Sequence, residues 1–332
     1  MPQRAALVSG ALLALAAGLM WGLVFVAPLL LPQYPPALLS VGRYLAFGLI
    51  ALPLALWDHQ RIRQLTRADW IEASKLALVG NLVYYLFLSA AIQMAGAPLP
   101  TMIIGALPVV IAICSNVRDQ HREGRLLWRQ LLPSLVLITL GIACVHQAEL
   151  SWASQSMPNN AELSSGSRYG LGALLALGAV VCWTWYPLRN ADWLRLHADR
   201  SPSTWATAQG LATLPLAVLG YAALWAWQML VPGSDVAPAL ALPWGPTPER
   251  FMALMLGLGF FASWLGTWCW NGASQRLPTT LVGQLIIFET LAALAYAFVL
   301  RQQWPGALTA TGACLLVAGV VWALRLRPGA VN

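Results

Sequence analysis

Ten apolar runs occupy most of the 332-residue chain, at roughly 6–30, 36–57, 70–93, 97–117, 126–146, 168–188, 203–230, 251–272, 279–300 and 304–325. A helix needs about 20 apolar residues to cross the hydrocarbon of a bilayer, and each run is of that order. Breakers separate them: PQYPP at 32–36, AGAP at 95–98, PGSDVAP at 232–238 and RLP at 276–278. The pattern predicts an all-α integral membrane protein of ten transmembrane helices, segments 1 to 10. The first run has a basic start at Arg4 and an Ala14-Leu15-Ala16 triplet, as a secretory leader would. It continues apolar to Leu31, too far for the apolar core of a leader, so it is expected to remain as segment 1.

The runs are not independent of one another. GALLALAAGLMW at 10–21 returns as GALLALGAVVCW at 172–183, with eight of twelve positions identical at an offset of 162. The same offset aligns GLIALPLAL (48–56) with GLATLPLAV (210–218), and an offset of 178 aligns LPTMIIGAL (99–107) with LPTTLVGQL (277–285). Segments 1 and 2 thus match 6 and 7, and segment 4 matches 9. Five segments per unit is an odd number, so the second copy enters from the opposite side. The expectation is two inverted five-helix repeats, residues 1–147 and 168–332, joined by an extracytoplasmic connector at 148–167. Two such units can exchange conformations, so that a site between them faces alternate sides of the membrane.

Composition agrees. The chain is 59% hydrophobic and 9% charged, where a soluble domain carries about 25% charged residues. A net charge of +7 would suit nucleic acid or an acidic partner, but its distribution argues for neither. With a cytoplasmic N-terminus, fifteen Arg and Lys fall on the inner side and three (Arg168, Arg250, Arg301) on the outer. That bias is the positive-inside pattern, and ten crossings place both termini in the cytoplasm. The five cysteines lie in apolar runs without metal-ligand or redox spacing, and the four histidines form no cluster, so no metal or cofactor is expected. Trp57, Trp70, Trp128, Trp244, Trp304 and Trp322 fall at segment ends, where an interfacial aromatic belt belongs.

Ionisable residues inside a bilayer are costly and point to function. Arg43 lies about 10 Å into segment 2 at 1.5 Å per residue, and Glu289 lies near the middle of segment 9. Glu289 reads either as a proton-coupling or amine-binding group or as a structural partner between helices. Arg43 reads as a site charge or as a snorkelling, loop-tying residue, and its repeat equivalent is Trp205. Glu72 and Lys75 have the spacing of a local i,i+3 pair. Helical spacing puts Asn81, Tyr85 and Ser89 on one face of segment 3, Ser263, Thr267 and Asn271 on one face of segment 8, and Thr280 with Gln284 on segment 9. Such stripes face protein or water rather than lipid, which fits either a cavity or helix–helix hydrogen bonding. Gln284 and Glu289, five apart, point in different directions. Aromatic residues gather on the same segments: Trp21, Tyr84, Tyr85, Trp183, Trp185, Tyr186, Trp264 and Trp268. They read as packing or as the wall of a site for a flat apolar group or a cation. Gly105 and Pro108 are gating candidates in segment 4, since Pro108 weakens a backbone hydrogen bond and permits a bend.

LMWGLVFVAP, VGRYLAF, YYLFLSAAIQMAGAP, WCWNGASQRLP and IIFET, in that order along the chain, resemble the EamA-type drug/metabolite transporter superfamily, and within it the YddG-type aromatic amino acid exporters. The resemblance implies a ten-helix basket in a bacterial inner membrane, with segments 1, 3, 4, 6, 8 and 9 around a central cavity and segments 5 and 10 peripheral. This chain departs from the family in having Glu289-Thr290 where Glu-Pro is frequent, which questions a kink in segment 9, and Arg301 where a glutamate often follows. The expected function is export of small hydrophobic or aromatic metabolites, chiefly amino acids, by a non-enzymatic secondary transporter. A broad drug efflux transporter of the same fold is the alternative. The expected substrate-binding residues are Trp21, Asn81, Tyr85, Trp183, Tyr186, Trp268, Asn271 and Gln284. The expected partners are a small-molecule substrate and the lipid bilayer, with or without proton coupling, in a monomer or weak homodimer. Few cations near these positions argue against phosphate-bearing substrates.

Overall fold

A computed structural model describes residues 2–31, 33–95, 98–118, 127–156, 166–230, 245–302 and 304–325. Every described regular element is helical. Among the described residues, eight helices are long and apolar enough to cross a membrane: Ala5–Pro28, Pro36–Trp57, Arg67–Ile92, Trp128–Ala148, Tyr169–Leu196, Pro202–Leu230, Pro248–Arg276 and Leu281–Leu300. Two shorter apolar helices, Leu107–Arg118 and Ala307–Ala323, coincide with segments 4 and 10. Much of the expected connector, 157–165, lies outside the described residues, as do His121, Arg122, Arg125 and Trp244.

Local chemistry accounts for the helix boundaries. Proline opens segment 2 at Pro36 and segment 8 at Pro248, where its missing N–H costs nothing. Segment 3 begins with a capping box: Thr66 accepts from the Asp69 N–H, and Asp69 accepts from the Thr66 N–H. Segment 9 ends at Gln302 in a left-handed conformation, φ 53°.

Two kinds of irregularity recur along the chain. Segment 3 passes through a π-helical stretch at Ala77–Val83, and segment 8 does so at Leu258–Leu265. Segment 4 breaks between Pro98–Gly105 and Leu107–Arg118, and segment 9 breaks between Thr279–Leu285 and Ile287–Arg301. In segment 4, Pro108 supplies no N–H and disfavours α geometry at the residue before it. Segment 9 breaks without a proline, so the Glu289-Thr290 sequence does not straighten it.

The packing brings the halves of the chain together. Segment 1 lies against segments 8 and 9, and segment 6 lies against segments 3 and 4. Segment 2 packs on segment 7, segment 4 on segment 9, and segment 5 on segment 10. The contact of segments 2 and 7 depends on two glycines. A Cβ on Gly48 would stand 2.6 Å from the Leu214 Cβ, and one on Gly210 would stand 2.7 Å from the Ala51 Cβ. The apolar exterior is that of a protein in lipid: Leu56, Val181, Leu219 and Leu230 are all largely exposed. Trp57 and Trp304 are 90% and 94% exposed at segment ends, and Trp128 and Trp322 are also exposed, as residues of a belt would be.

Candidate functional site

Where segments 1, 2, 3, 6, 8 and 9 meet, aromatic rings surround two ionisable side chains. Trp21 and Trp183, the repeat-equivalent pair, are both buried and touch edge-on, their centroids 5.3 Å apart. Trp21 also packs on Trp270 at 5.0 Å. Trp183 stacks on Tyr84 at 4.5 Å and on Tyr186 at 5.2 Å. These rings form one continuous wall, with Gly18 and Gly266 admitting the close approach of segments 9 and 1.

Arg43 is buried beside this wall. Its Nε donates to Ser263 Oγ at 3.0 Å and one terminal nitrogen donates to the Ala262 carbonyl at 3.4 Å. Its guanidinium carbon lies 5.0 Å from the centre of the Tyr44 ring and 5.3 Å from that of Tyr85, a double cation–π arrangement. Glu289 is buried with its carboxyl beside the Trp183 indole, whose N–H stays outside hydrogen-bond geometry. Arg43 is within electrostatic reach of Glu289, yet no ion pair of 4.0 Å or less joins them. The Tyr85 hydroxyl and the Trp183 and Trp270 indole N–H groups are buried with no protein hydrogen-bond partner. Opposite charges held apart and unspent donors are costly in a folded interior unless something else meets them.

A second polar cluster lies nearer the end that carries the Arg-rich turns. Asn190 Nδ2 donates to Asn271 Oδ1 at 2.8 Å, and Asn190 Oδ1 accepts from Trp205 Nε1 at 2.8 Å and from Gln209 Nε2 at 3.1 Å. The Tyr186 hydroxyl donates to Gln209 Oε1 at 2.8 Å, and Asn271 Nδ2 reaches the Pro202 carbonyl at 3.3 Å. The hub ties segments 6, 7 and 8 together with most of its polar atoms satisfied by protein.

The expected site residues therefore divide. Trp21, Tyr85, Trp183, the Tyr186 ring, Arg43 and Glu289 converge. Asn271 and the Tyr186 hydroxyl serve the hub instead. Asn81 donates to Thr213 Oγ1 at 3.3 Å, linking segments 3 and 7. Gln284 faces segments 5 and 10: its Oε1 accepts from Ser134 Oγ at 3.1 Å, and that hydroxyl also lies 2.8 Å from the Gly319 carbonyl. Trp268 is 39% exposed and stacks on Trp264 at the outer surface, so it does not line the interior. The residue in its place is Trp270. Counting Ser263, Thr267, Trp270, Asn271 and Ser274 along one helical face would have found it. Tyr44, next to Arg43, is the other aromatic missed. Gly105 is a contact residue, since a Cβ there would stand 2.6 Å from His146 Nε2. Pro108 is buried just beyond the break in segment 4. The Glu72–Lys75 pair is present at 3.7 Å, but Glu72 has a closer partner in Arg189. No metal-binding group of His, Cys, Asp and Glu occurs among the described residues.

Comparison with known proteins adds three findings. Residues 8–146 match the EamA-like transporter family. The inner membrane protein YtfF of Escherichia coli (strain K12) is 50% identical over 322 residues, 97% of each chain. A solved crystal structure matches with a TM-score of 0.68 over 95% of this chain and 97% of its own, at 19% identity, which is a likeness of fold.

Proposed function

The chain belongs to the EamA-like transporter family, and from that premise we propose that it is a secondary transporter exporting hydrophobic or aromatic amino acids by alternating access. Membership makes it a membrane transporter of small molecules rather than an enzyme. The observation that carries the finer reading is a pair of buried ionisable groups of opposite sign: Arg43 and Glu289 stand beside one aromatic wall with no ion pair of 4.0 Å or less between them. A substrate with a carboxylate, an ammonium and a flat apolar side chain complements all three features. Arg43 takes the carboxylate, Glu289 takes the ammonium, and Trp21, Trp183, Tyr84 and Tyr85 receive the side chain. Phosphate esters would need more cations than this compartment holds.

Ten transmembrane helices in two inverted repeats, 1–147 and 168–332, with the termini in the cytoplasm of an inner-membrane protein, complete the reading. It is supported by the matched irregularities: π-helical stretches in segments 3 and 8, breaks in segments 4 and 9, and the reciprocal Gly48 and Gly210 contacts. Trp21 and Trp183 meeting each other fits a twofold relation between the halves. Purified protein in vesicles, loaded with labelled Phe, Tyr, Trp or Thr, tests the substrate class. Saturable counterflow of the aromatic amino acids is expected. Movement of none of the four, with efflux of unrelated apolar cations instead, would replace the amino-acid reading by that of a drug efflux transporter.

A further inference from the structure

At the Arg-rich end of the bundle, charged and aromatic side chains join the two halves of the chain. Segment 3 contributes Asp69 and Glu72, both buried. Segment 6 meets them with a series of partners one turn apart. Arg189 forks onto Glu72, Nε to Oε1 at 2.5 Å and Nη2 to Oε2 at 3.1 Å. Trp193 Nε1 donates to Asp69 Oδ1 at 3.1 Å, and His197 Nε2 stands 3.6 Å from the same oxygen, its ring stacked on Trp193. Segment 4 adds Arg118, 3.0 Å from Asp192 Oδ2. Between the turns, Thr204 bonds Asp58, and Arg200 donates to the Gln64 carbonyl at 3.1 Å. A surface cavity of about 230 Å³ opens among Asp69, Glu72, Arg189, Asp192, Trp193 and His197. Apart from the Trp193–His197 stacking within segment 6, each of the contacts named crosses from the first half of the chain to the second.

The opposite end has a counterpart at the matching place. Thr66 and Thr247 are the N-cap residues of segments 3 and 8, and the π-helical stretches that follow begin at Ala77 and Leu258, both at an offset of 181. Where Asp69 faces segment 6, Thr247 and Phe251 face Tyr34 in the turn between segments 1 and 2. There the Tyr34 hydroxyl accepts from the Thr247 N–H at 3.0 Å and the Tyr34 ring stacks on Phe251 at 4.8 Å. These two contacts are uncharged. Those at the Arg-rich end are ionic and partly exposed: Arg189 is 49% and Arg118 31% exposed.

We propose that the Asp69–Glu72–Arg189–Trp193–His197 cluster, with Arg118–Asp192, is a latch. It clamps segments 3 and 4 onto segment 6 and keeps the Arg-rich mouth shut until its ion pairs are released. The proposal rests on the alternating-access reading above, but on no particular substrate. Because the ion pairs are part-exposed, salt screens them, so the latch weakens as ionic strength rises. Glu72, Asp69, Asp192, Arg189, Arg118, Lys75 and His197 are charged or titratable groups of the latch, with Asp58 and Arg200 in the neighbouring turn contacts.

Native Cys182 is a ready reporter. It is buried, seven residues inward of Arg189 on the stripe of segment 6 that meets segment 3, between the Phe87–Gly178 and Gly80–Tyr186 contacts. The full chain with Cys114, Cys144, Cys269 and Cys314 changed to Ser is placed in vesicles. A membrane-impermeant maleimide is then applied to each face in turn. From the Arg-rich face, Glu72→Gln and Arg189→Gln should each speed Cys182 labelling by about two- to fivefold, the range for a part-exposed ion pair. The double variant should add little, since both remove one interaction. The exchanged pair Glu72→Arg with Arg189→Glu should slow labelling again. High salt should speed labelling of the parent protein more than that of the double variant, which keeps only the Arg118–Asp192 and Asp69–His197 contacts. Thermal denaturation of every variant distinguishes latch opening from general unfolding. Unchanged labelling from the Arg-rich face in well-folded Glu72→Gln and Arg189→Gln would overturn the latch. Labelling does not read substrate flux, so a failed amino-acid assignment leaves this result interpretable.

Discussion

Arg43 and Glu289 carry the chemistry at the residue scale, and their roles separate by substitution. An arginine that binds a substrate carboxylate in a buried compartment makes a charged hydrogen bond worth about 1.5–3 kcal/mol. Arg43→Gln should therefore weaken uptake of labelled phenylalanine by about tenfold or more, measured as apparent affinity in vesicles. Phenethylamine, which lacks the carboxylate, should compete equally well against both proteins, and an equal loss for both compounds would make Arg43 structural. Glu289→Gln keeps shape and removes charge. It should weaken the apparent affinity for amino acids, whose ammonium it meets, and abolish any dependence of the remaining transport on a pH gradient; unaltered affinity would exclude Glu289 from binding, and unaltered gradient-driven transport would exclude it from coupling. Both charges were legible in the sequence because an ionisable letter inside an apolar run is conspicuous. Trp268 against Trp270 was not legible in the same way: two tryptophans separated by one cysteine differ only in helical phase. That phase is carried by the polar stripe of Ser263, Thr267, Asn271 and Ser274, on whose face Trp270 lies and Trp268 does not. The latch was hidden for a related reason. Glu72 has a visible neighbour in Lys75 three residues on, whereas its stronger partner, Arg189, is 117 residues away.

The helices themselves are an element-scale problem of contact distance. Segments 2 and 7 cross at Gly48 and Gly210, each facing side chains of the other segment. The sequence repeat marks these glycines as equivalent, but only the packing explains them: a Cβ on Gly48 would also lie 2.9 Å from the Leu214 Cα. Overpacking of this kind costs roughly 1–3 kcal/mol. Gly48→Leu should lower the thermal midpoint of the detergent-solubilised protein and reduce transport with it. Gly257→Ala is the control, since nothing lies within 4 Å of a Cβ there, and it should hold or raise the midpoint because alanine suits a helix better than glycine. Equal losses in both would mean that the close contact of segments 2 and 7 is not what makes glycine necessary at position 48. The breaks in segments 4 and 9 mark the limit of pattern reading. Pro108 announced the first, while the second, at Leu285–Ile286, has no proline. π-helical stretches carry no letter code of their own; they appear where neighbouring helices impose them, and they cluster at functional sites.

For the whole molecule, the number of crossings decides everything else about sidedness. Length and apolarity alone license eight spanning helices, and the ten-helix reading needs segment 4, broken at Ala106, and segment 10, with its apolar stretch at Ala307–Ala323, to cross as well. Three exposed tryptophans near helix ends, Trp57, Trp128 and Trp304, convert this into a measurement. Each is replaced singly by cysteine in a chain without its native cysteines, and intact cells are treated with an impermeant maleimide. If segment 4 crosses and the N-terminus is cytoplasmic, two crossings precede Trp57, four precede Trp128 and nine precede Trp304. Only Trp304→Cys should then label without permeabilisation. If segment 4 merely enters the membrane and returns, the side changes at every later position: Trp128→Cys labels from outside and Trp304→Cys does not. The inverted relation of the repeats would fall with that result, because it depends on an odd number of crossings per half. The physical expectation favours ten crossings, since the Arg and Lys bias of fifteen to three holds only at that count. A broken helix at bilayer depth is tolerated where it is buried in protein, and Leu107, Pro108, Ile111 and Ala112 around the break are buried, with segment 9 packed against them.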